Sequence, residues 1–346
     1  MTFPRRLRRS GAVLTALLTV ASLALSSCAL RGLDDDALRI QLSFIKNSQN
    51  NGEYIADHEG YYEDEGFTKV DLVAGPTAVE QSVAAGHSTV AGSTALGAAN
   101  GIDKEGMPIK IIGAIYAENA FTIMSMDGPD AIRTPEDLEG ARIAVTPGTA
   151  QSMVEGLARA NGIDPDTITF VPAGETSALT SGEVDGFHGL TANQGIQMEQ
   201  AGHDIVYLNL AEHGMPFAGA AYAVSEDSLE NNRENLKKFL VASIRGWRDA
   251  INDPQLGTDL TLDVYGTDLG LDPTNEQLQS EAQIQYIDSD YTNPGELFRL
   301  TDEAMEENVE SLRLAGIDVT ADELFDMSLL DEVYEENPDL KETATP

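Results

Sequence analysis

The chain of 346 residues has one cysteine, Cys28, so no intramolecular disulfide can form. Cations are scarce. Only 21 lysines and arginines face 58 aspartates and glutamates, for a net charge of −37. Such a chain repels phosphate backbones, which excludes a nucleic-acid partner, and it repels anionic lipid for the same reason. No apolar run reaches the roughly 20 residues of a membrane span. There is no Gly-Lys-Ser/Thr phosphate loop and no His-Glu-x-x-His pair. Gly86-His87-Ser88-Thr89-Val90 approaches a nucleophile elbow but lacks the closing glycine. The five histidines, His58, His87, His188, His203 and His213, show no metal-ligand spacing. No catalytic residue, metal or cofactor is expected.

What is present begins at the N-terminus. Arg5, Arg6, Arg8 and Arg9 precede an uncharged run from Gly11 to Leu25. That run is too short to span a bilayer and predicts a secretory signal over residues 1–27. Leu25-Ser26-Ser27-Cys28 resembles a bacterial lipobox, so Cys28 is the expected site of lipidation. Residues 28–37, with Asp34-Asp35-Asp36, read as a solvated tether. The expected location is the extracytoplasmic face of the cell membrane, reached through acyl chains alone. Hydrophobic residues make up 42% of the chain, enough for packed cores.

From Leu38 to Val224 short strand-like runs alternate with helix-like runs. Arg39–Phe44, Val70–Val73, Thr89–Gly92 and Ile109–Ile115 read as strands, with helices over 51–62, 78–85 and 95–101 between them. The pattern restarts at Thr134-Pro135-Glu136-Asp137-Leu138, with Thr134 as N-cap and Pro135 at the first helical position. Strands are expected at Ile143–Val145, Thr169–Val171, Val184–Phe187 and Ile205–Leu208, with helices over 151–161 and from about 193 to 202. Two rounds of alternation predict two α/β units. Beyond Val224 the chain turns helical. Leu236, Leu240, Ile244, Trp247 and Ile251 mark one face of a long helix over 232–252, and residues 273–327 continue as helices.

Four segments share one plan, in which a strand ends, a polar loop follows and a helix begins. They are Phe44–Asn51, Gly92-Ser93-Thr94, Thr146–Gln151 and His188–Gln194. Helix N-termini present unpaired N–H groups, and ligands of open α/β sheets settle at the carboxyl ends of strands. The candidate ligand contacts are therefore Phe44, Lys46, Asn47 and Gln49; Ser93 and Thr94; Gly148, Thr149, Ala150 and Gln151; and His188, Asn193 and Gln194. Ser93, Thr94 and Thr149 would serve as helix caps with no ligand at all, and Gly148 as a turn residue. The even split of the four loops between the two units favours a shared cleft.

Residues 38–254 resemble the solute-binding proteins of ABC importers of the nitrate, sulfonate and thiamine-pyrimidine-precursor type. The resemblance rests on Tyr54, Gly60-Tyr61-Tyr62 and Gly66 in the first helical segment. It also rests on Thr134–Gly140 followed by Ile143-Ala144-Val145, on Gly182-Glu183-Val184-Asp185-Gly186, and on the helix over 225–254. It implies a two-lobed type II periplasmic-binding fold with a ligand cleft between the lobes. Lobe 1 would span 38–126 plus 221–340 and lobe 2 127–220, with the chain crossing near Met126 and near Ala221. It implies a monomer that closes on a small solute and delivers it to an ABC permease and its ATPase. Members that bind pyrimidine-type rings carry a tryptophan and an asparagine after the first strand; Phe44 and Asn47 stand there. Asn193 and Gln194 offer both donors and acceptors, which suits a neutral nitrogen heterocycle. The alternatives are a sulfonate, taurine or nitrate receptor that uses Lys46, an enzyme on the same fold that pairs His188 or His213 with Asp185 or Glu212, and a sensor that docks on a membrane kinase. The enzymes that resemble this family carry a cysteine-rich motif, which this chain lacks.

The lipobox predicts that Cys28→Ser moves the protein from the membrane fraction to a soluble form, read by fractionation and mass spectrometry. A variant that stays in the membrane with its first 27 residues attached contradicts the anchor.

Overall fold

The computed structural model describes residues 36–75, 79–146, 149–287 and 289–341. Cys28, the signal segment, most of the tether and Gly148 lie outside the described residues.

Two five-stranded sheets organise the chain. The first has the order β2-β1-β3-β10-β4, from β1 (Ala37–Gln41), β2 (Lys69–Val73), β3 (Val90–Ser93), β4 (Ile109–Tyr116) and β10 (Ala220–Ser225). The second has the order β7-β6-β8-β5-β9, from β5 (Phe121–Met126), β6 (Arg142–Val145), β7 (Thr169–Pro172), β8 (Gly186–Leu190) and β9 (Ile205–Asn209). In each sheet the three leading strands run parallel. The fourth place is taken by a strand that is antiparallel to its neighbours and adjoins a crossing between the sheets. β4 and β10 are buried along nearly their whole length, as strands covered on both faces must be.

The crossings differ from the sequence expectation. Phe121–Met126 pairs with β8 and β9, so it belongs to the second sheet and the first crossing is Ala117–Ala120, not the neighbourhood of Met126. Its apolar character matches that of β4, and only pairing separates the two. The return runs through residues 210–219. The crossings lie side by side. Gly219 N–H donates to the Tyr116 carbonyl at 2.9 Å, and buried Asn119 donates through Nδ2 to the Met215 carbonyl at 2.8 Å. A Cβ on Gly219 would stand 3.0 Å from the Glu118 carbonyl oxygen, so the backbones meet where only glycine fits easily.

The first expected helix is broken. Asn51–His58 and Tyr61–Asp64 are separate helices, because Gly60 takes the left-handed conformation at φ 77°. The Thr134 segment forms a 3-10 turn, Pro135–Leu138, closed by a capping box with Asp137. Beyond β10, the Arg233–Asn252 helix lies across Asn51–His58. A Cβ on Gly246 would stand 2.2 Å from the Gly52 carbonyl oxygen, and one on Gly52 would stand 2.2 Å from the Trp247 ring. The Asp302–Leu314 helix reaches the second sheet's helix Ala150–Ala160, where Gly156 accommodates Ala315 and Met215. One continuous core therefore joins both sheets. A second cluster of Met124, Ala144, Leu179, Val184, Phe187 and Met198 covers the far face of the second sheet.

Gly246→Ala must force two backbones apart, since its obstacle is a carbonyl and not a flexible side chain. A loss of at least about 1–3 kcal/mol is expected in denaturant unfolding. Stability within 0.5 kcal/mol of the parent, the range of an ordinary surface substitution, contradicts the close approach.

Candidate functional site

The polar segments at the ends of β1 and β8 are tied together by a later helix. After β1, Asn47 is buried and its side chain accepts from the Gln49 N–H at 3.3 Å, starting the 3-10 turn Ser48–Asn50. The helix Pro273–Ala282 holds that turn. Ser48 N–H donates to Glu276 Oε2 at 2.8 Å, Gln283, just after the helix, donates to the Ser48 carbonyl at 3.0 Å, and Asn51 Oδ1 accepts from Ser280 Oγ at 2.8 Å. The same helix reaches the second sheet. Asn193 donates through Nδ2 to Gln279 Oε1 at 2.7 Å, and both side chains are buried. Ser48 and Asn193 thus stand at two ends of one polar seam, bridged by a helix that the sequence assigned no role.

After β3, Ser93 is buried and donates to Glu80 Oε1 at 2.6 Å. Thr94 caps the Ala95–Glu105 helix by accepting from the Gly97 N–H at 2.9 Å. In the second sheet, Thr149 makes no side-chain cap, Ala150 is buried, and exposed Gln151 bonds to Glu155. Gln194 turns back on its own strand, where its Oε1 accepts from the Leu190 N–H at 2.9 Å. The segment Thr191–Gly195 is one wide π-helical turn that leads into the short helix Ile196–Gln200. Phe44 and Lys46 are half-buried in the turn after β1.

His188 belongs to β8 itself and not to the loop after it. Its ring stacks on Phe121 of the neighbouring strand, with centroids 5.1 Å apart and planes within 13°. The side chain is buried, Nε2 has no hydrogen-bond partner, and burial holds the imidazole down to about 4. It is therefore neutral at physiological pH. Neither carboxylate of the expected enzyme pairings meets a histidine. Asp185 is held by Arg142 at 2.6 Å, which keeps its pKa below the ordinary carboxylate value, and Glu212 accepts from Asn209. Among the described residues no three His, Cys, Asp or Glu side chains converge as a metal site.

A cavity of about 20 Å³ opens at the carboxyl end of the first sheet. Its polar walls are Ser43, Gln49, Asn50, Glu53, Ser93 and Tyr222. Gln49 and Ser93 were expected at the site; Glu53 and Tyr222 were not. No periodicity marks Glu53, because Asn51 to Ala56 are all buried and the helix shows no polar face there. No lysine or arginine lines the cavity.

The buried imidazole has a consequence for stability. An unfolded histidine titrates near 6.5, so the unfolded chain takes its proton first as pH falls. The contribution is complete above pH 6.5 and is lost on the way to pH 4, by about 3 kcal/mol at 1.36 kcal/mol per pH unit. His188→Leu should flatten the stability curve by that amount across this window in denaturant titrations. Parallel curves for the two proteins contradict a neutral buried ring.

Comparison with known proteins agrees with this architecture. The chain is 28% identical over 229 residues to the riboflavin-binding protein RibY of Chloroflexus aurantiacus. That match covers 64% of this chain and 65% of RibY, just under two thirds of its length. It is 24% identical over 257 residues to the formylaminopyrimidine-binding protein of Halalkalibacterium halodurans, covering 71% of this chain and 77% of that one. Among solved structures, the periplasmic nitrate-binding protein NrtA of Synechocystis aligns with a TM-score of 0.65 at 12% identity, covering 89% of this chain and 91% of that one. The aliphatic sulphonate-binding protein SsuA of Escherichia coli aligns at 0.61 and 15% identity, covering 81% and 86%. The expected two-lobed type II periplasmic-binding fold is therefore the fold observed. A desulfurization enzyme shares it at a TM-score of 0.56, so the fold by itself does not separate receptor from enzyme. A family profile described as "NMT1/THI5 like" matches residues 47–256, more than half of the chain, and the chain belongs to that family.

Proposed function

We propose that this protein is the substrate-binding component of an ABC importer, and that it captures a small nitrogen heterocycle between its two sheets. It sits outside the cytoplasmic membrane as a monomer, anchored through Cys28, and passes its solute to a permease driven by an ATPase. The observation that carries the ligand class is the polar part of the cavity wall: amide, hydroxyl and carboxyl groups beside Ile40, Leu42 and Ile115, with no cation among them. Amides and hydroxyls both donate and accept, as ring nitrogens and carbonyls require. A sulfonate or nitrate would need donors alone, and a buried carboxylate opposes it. The two curated relatives, named for binding riboflavin and formylaminopyrimidine, support the same class.

The mechanism follows from the two crossings. Ala117–Ala120 and residues 210–219 are the two strands of chain between the sheets, and rotation about them opens the seam that Asn193–Gln279 holds shut. Solute enters the opened seam, and closure buries it. Phe44, Lys46, Asn47, Gln49, Ser93, Thr94, Gly148, Thr149, Ala150, Gln151, His188, Asn193 and Gln194 remain the proposed surroundings, with Asn193 closing the second side.

Titration calorimetry with formylaminopyrimidine, riboflavin, taurine and nitrate tests this reading. A heterocycle should bind, and Asn193→Ala should weaken it by roughly ten- to a hundredfold, the effect of one buried hydrogen bond of about 1–3 kcal/mol. Tight taurine or nitrate binding that collapses in Lys46→Ala establishes an anion receptor instead.

A further inference from the structure

Glu53 is a carboxylic acid only 2% exposed, set in the third position of the Asn51–His58 helix. Burying such a group is costly unless each oxygen is paired. One oxygen is. Oε1 accepts from the Tyr222 hydroxyl and, at 3.4 Å, from Trp247 Nε1, while the same indole N–H lies 2.9 Å from Tyr222 Oη. The other oxygen, Oε2, is buried with no hydrogen-bond partner. No lysine, arginine or histidine forms an ion pair with Glu53 among the described residues. Burial pushes its carboxyl above the ordinary carboxylate value, against the pull of Tyr222, of its own backbone N–H and of Trp247.

The acid has a structural task through Oε1, since without it the buried Tyr222 hydroxyl and Trp247 N–H would lose an acceptor; that task leaves Oε2 unused. What distinguishes Glu53 is its place on the wall of the cavity, opposite Ser43, Gln49, Asn50 and Ser93. At about 20 Å³ the cavity is the size of a water molecule or of an exocyclic amino group, and too small for a ring.

We propose that Glu53 is a specificity-determining contact at the floor of the cleft, whose free oxygen accepts a hydrogen bond from an amino group on the solute ring. The ring stays in the cleft above, and only its amino substituent enters the cavity. Tyr222 and Trp247 hold Oε1, which leaves Oε2 as the oxygen the solute would meet. The class selected is an amino-substituted nitrogen heterocycle. A ring with a carbonyl oxygen at the same position brings acceptor against acceptor and is rejected, because a site built to pair one polar group discriminates strongly against its opposite. The inference rests on the receptor reading above and adds the feature of the solute that the site reads.

The test uses matched pairs of heterocycles that differ only in amino against oxo, such as 4-aminopyrimidine against pyrimidin-4-one and adenine against hypoxanthine. Affinities are measured by ligand-observed NMR and calorimetry on the purified protein. The parent should bind the amino member of at least one pair ten- to a hundredfold more tightly than the oxo member. Glu53→Gln, which keeps the shape and turns an acceptor into a donor, should narrow that ratio to threefold or less or invert it. Glu53→Leu should lose the preference as well, so a folding defect in one variant leaves the other to decide. A parent that binds both members equally, or variants that keep the parent's ratio, overturn the role of Glu53 and leave the receptor reading standing. A parent that binds no nitrogen heterocycle overturns the two together.

Discussion

The contact of Gly52 with Gly246 and Trp247 sets the geometry of the first half of the cleft. Two helices, 194 residues apart in sequence at Gly52 and Gly246, approach until a single methyl group would collide with a backbone carbonyl 2.2 Å away. This draws Trp247 under the start of the Asn51–His58 helix, and the indole N–H then reaches both Tyr222 and Glu53. Tyr222 is the centre of β10, the strand that returns the chain from the second sheet. The helix that carries the first polar loop, the strand beside a crossing and the long C-terminal helix are therefore locked at one point. Loop Phe44–Asn51 is positioned because the helix behind it cannot slide.

Two kinds of acid follow opposite rules in this molecule. Most of the 58 carboxylates lie on the surface, where water screens them and they keep the protein soluble. Surface ion pairs such as Arg133–Asp127 and Arg313–Glu310 belong to the same population and contribute little each. Glu53 and Glu276 are buried and Glu118 is half-buried, and burial raises each carboxyl from its ordinary value. Glu276 is paired with the Ser48 backbone and fixes the first loop. Glu53 lines the cavity, and the proposed selectivity for an N–H-bearing solute rests on it.

Much of this fold could be read from residue order. The strands of the first sheet, the restart at Thr134 and the amphipathic helix over 232–252 each have a strong local signal, and each is found within a few residues of its expected place. What escaped depended on contacts distant in sequence. Phe121–Met126 looked like the tail of the first unit because apolar alternation does not reveal which sheet a strand joins. His188 was expected to open a loop because the strand was read as ending at Phe187, yet β8 continues through Gly189 to Leu190, and Met124 and Phe187 fill the space beside that glycine. Thr94 and Thr149 read alike as caps, and only Thr94 forms the bond. Glu53 carried no signal because it sits among residues buried all round, where period 3.6 has no polar side to mark. The partner of Asn193, Gln279, lies 86 residues away on a helix that sequence reasoning read only as part of the helical region over 273–327.

The account stands on a solute held between the two sheets. Hydrogen exchange with and without a saturating heterocycle tests this most directly. The account predicts slowed exchange in residues 44–53 of the first sheet and in residues 191–195 of the second at the same ligand concentration, with the helix Pro273–Ala282 protected alongside them. Protection confined to one sheet, or to a surface away from both loops, would contradict it.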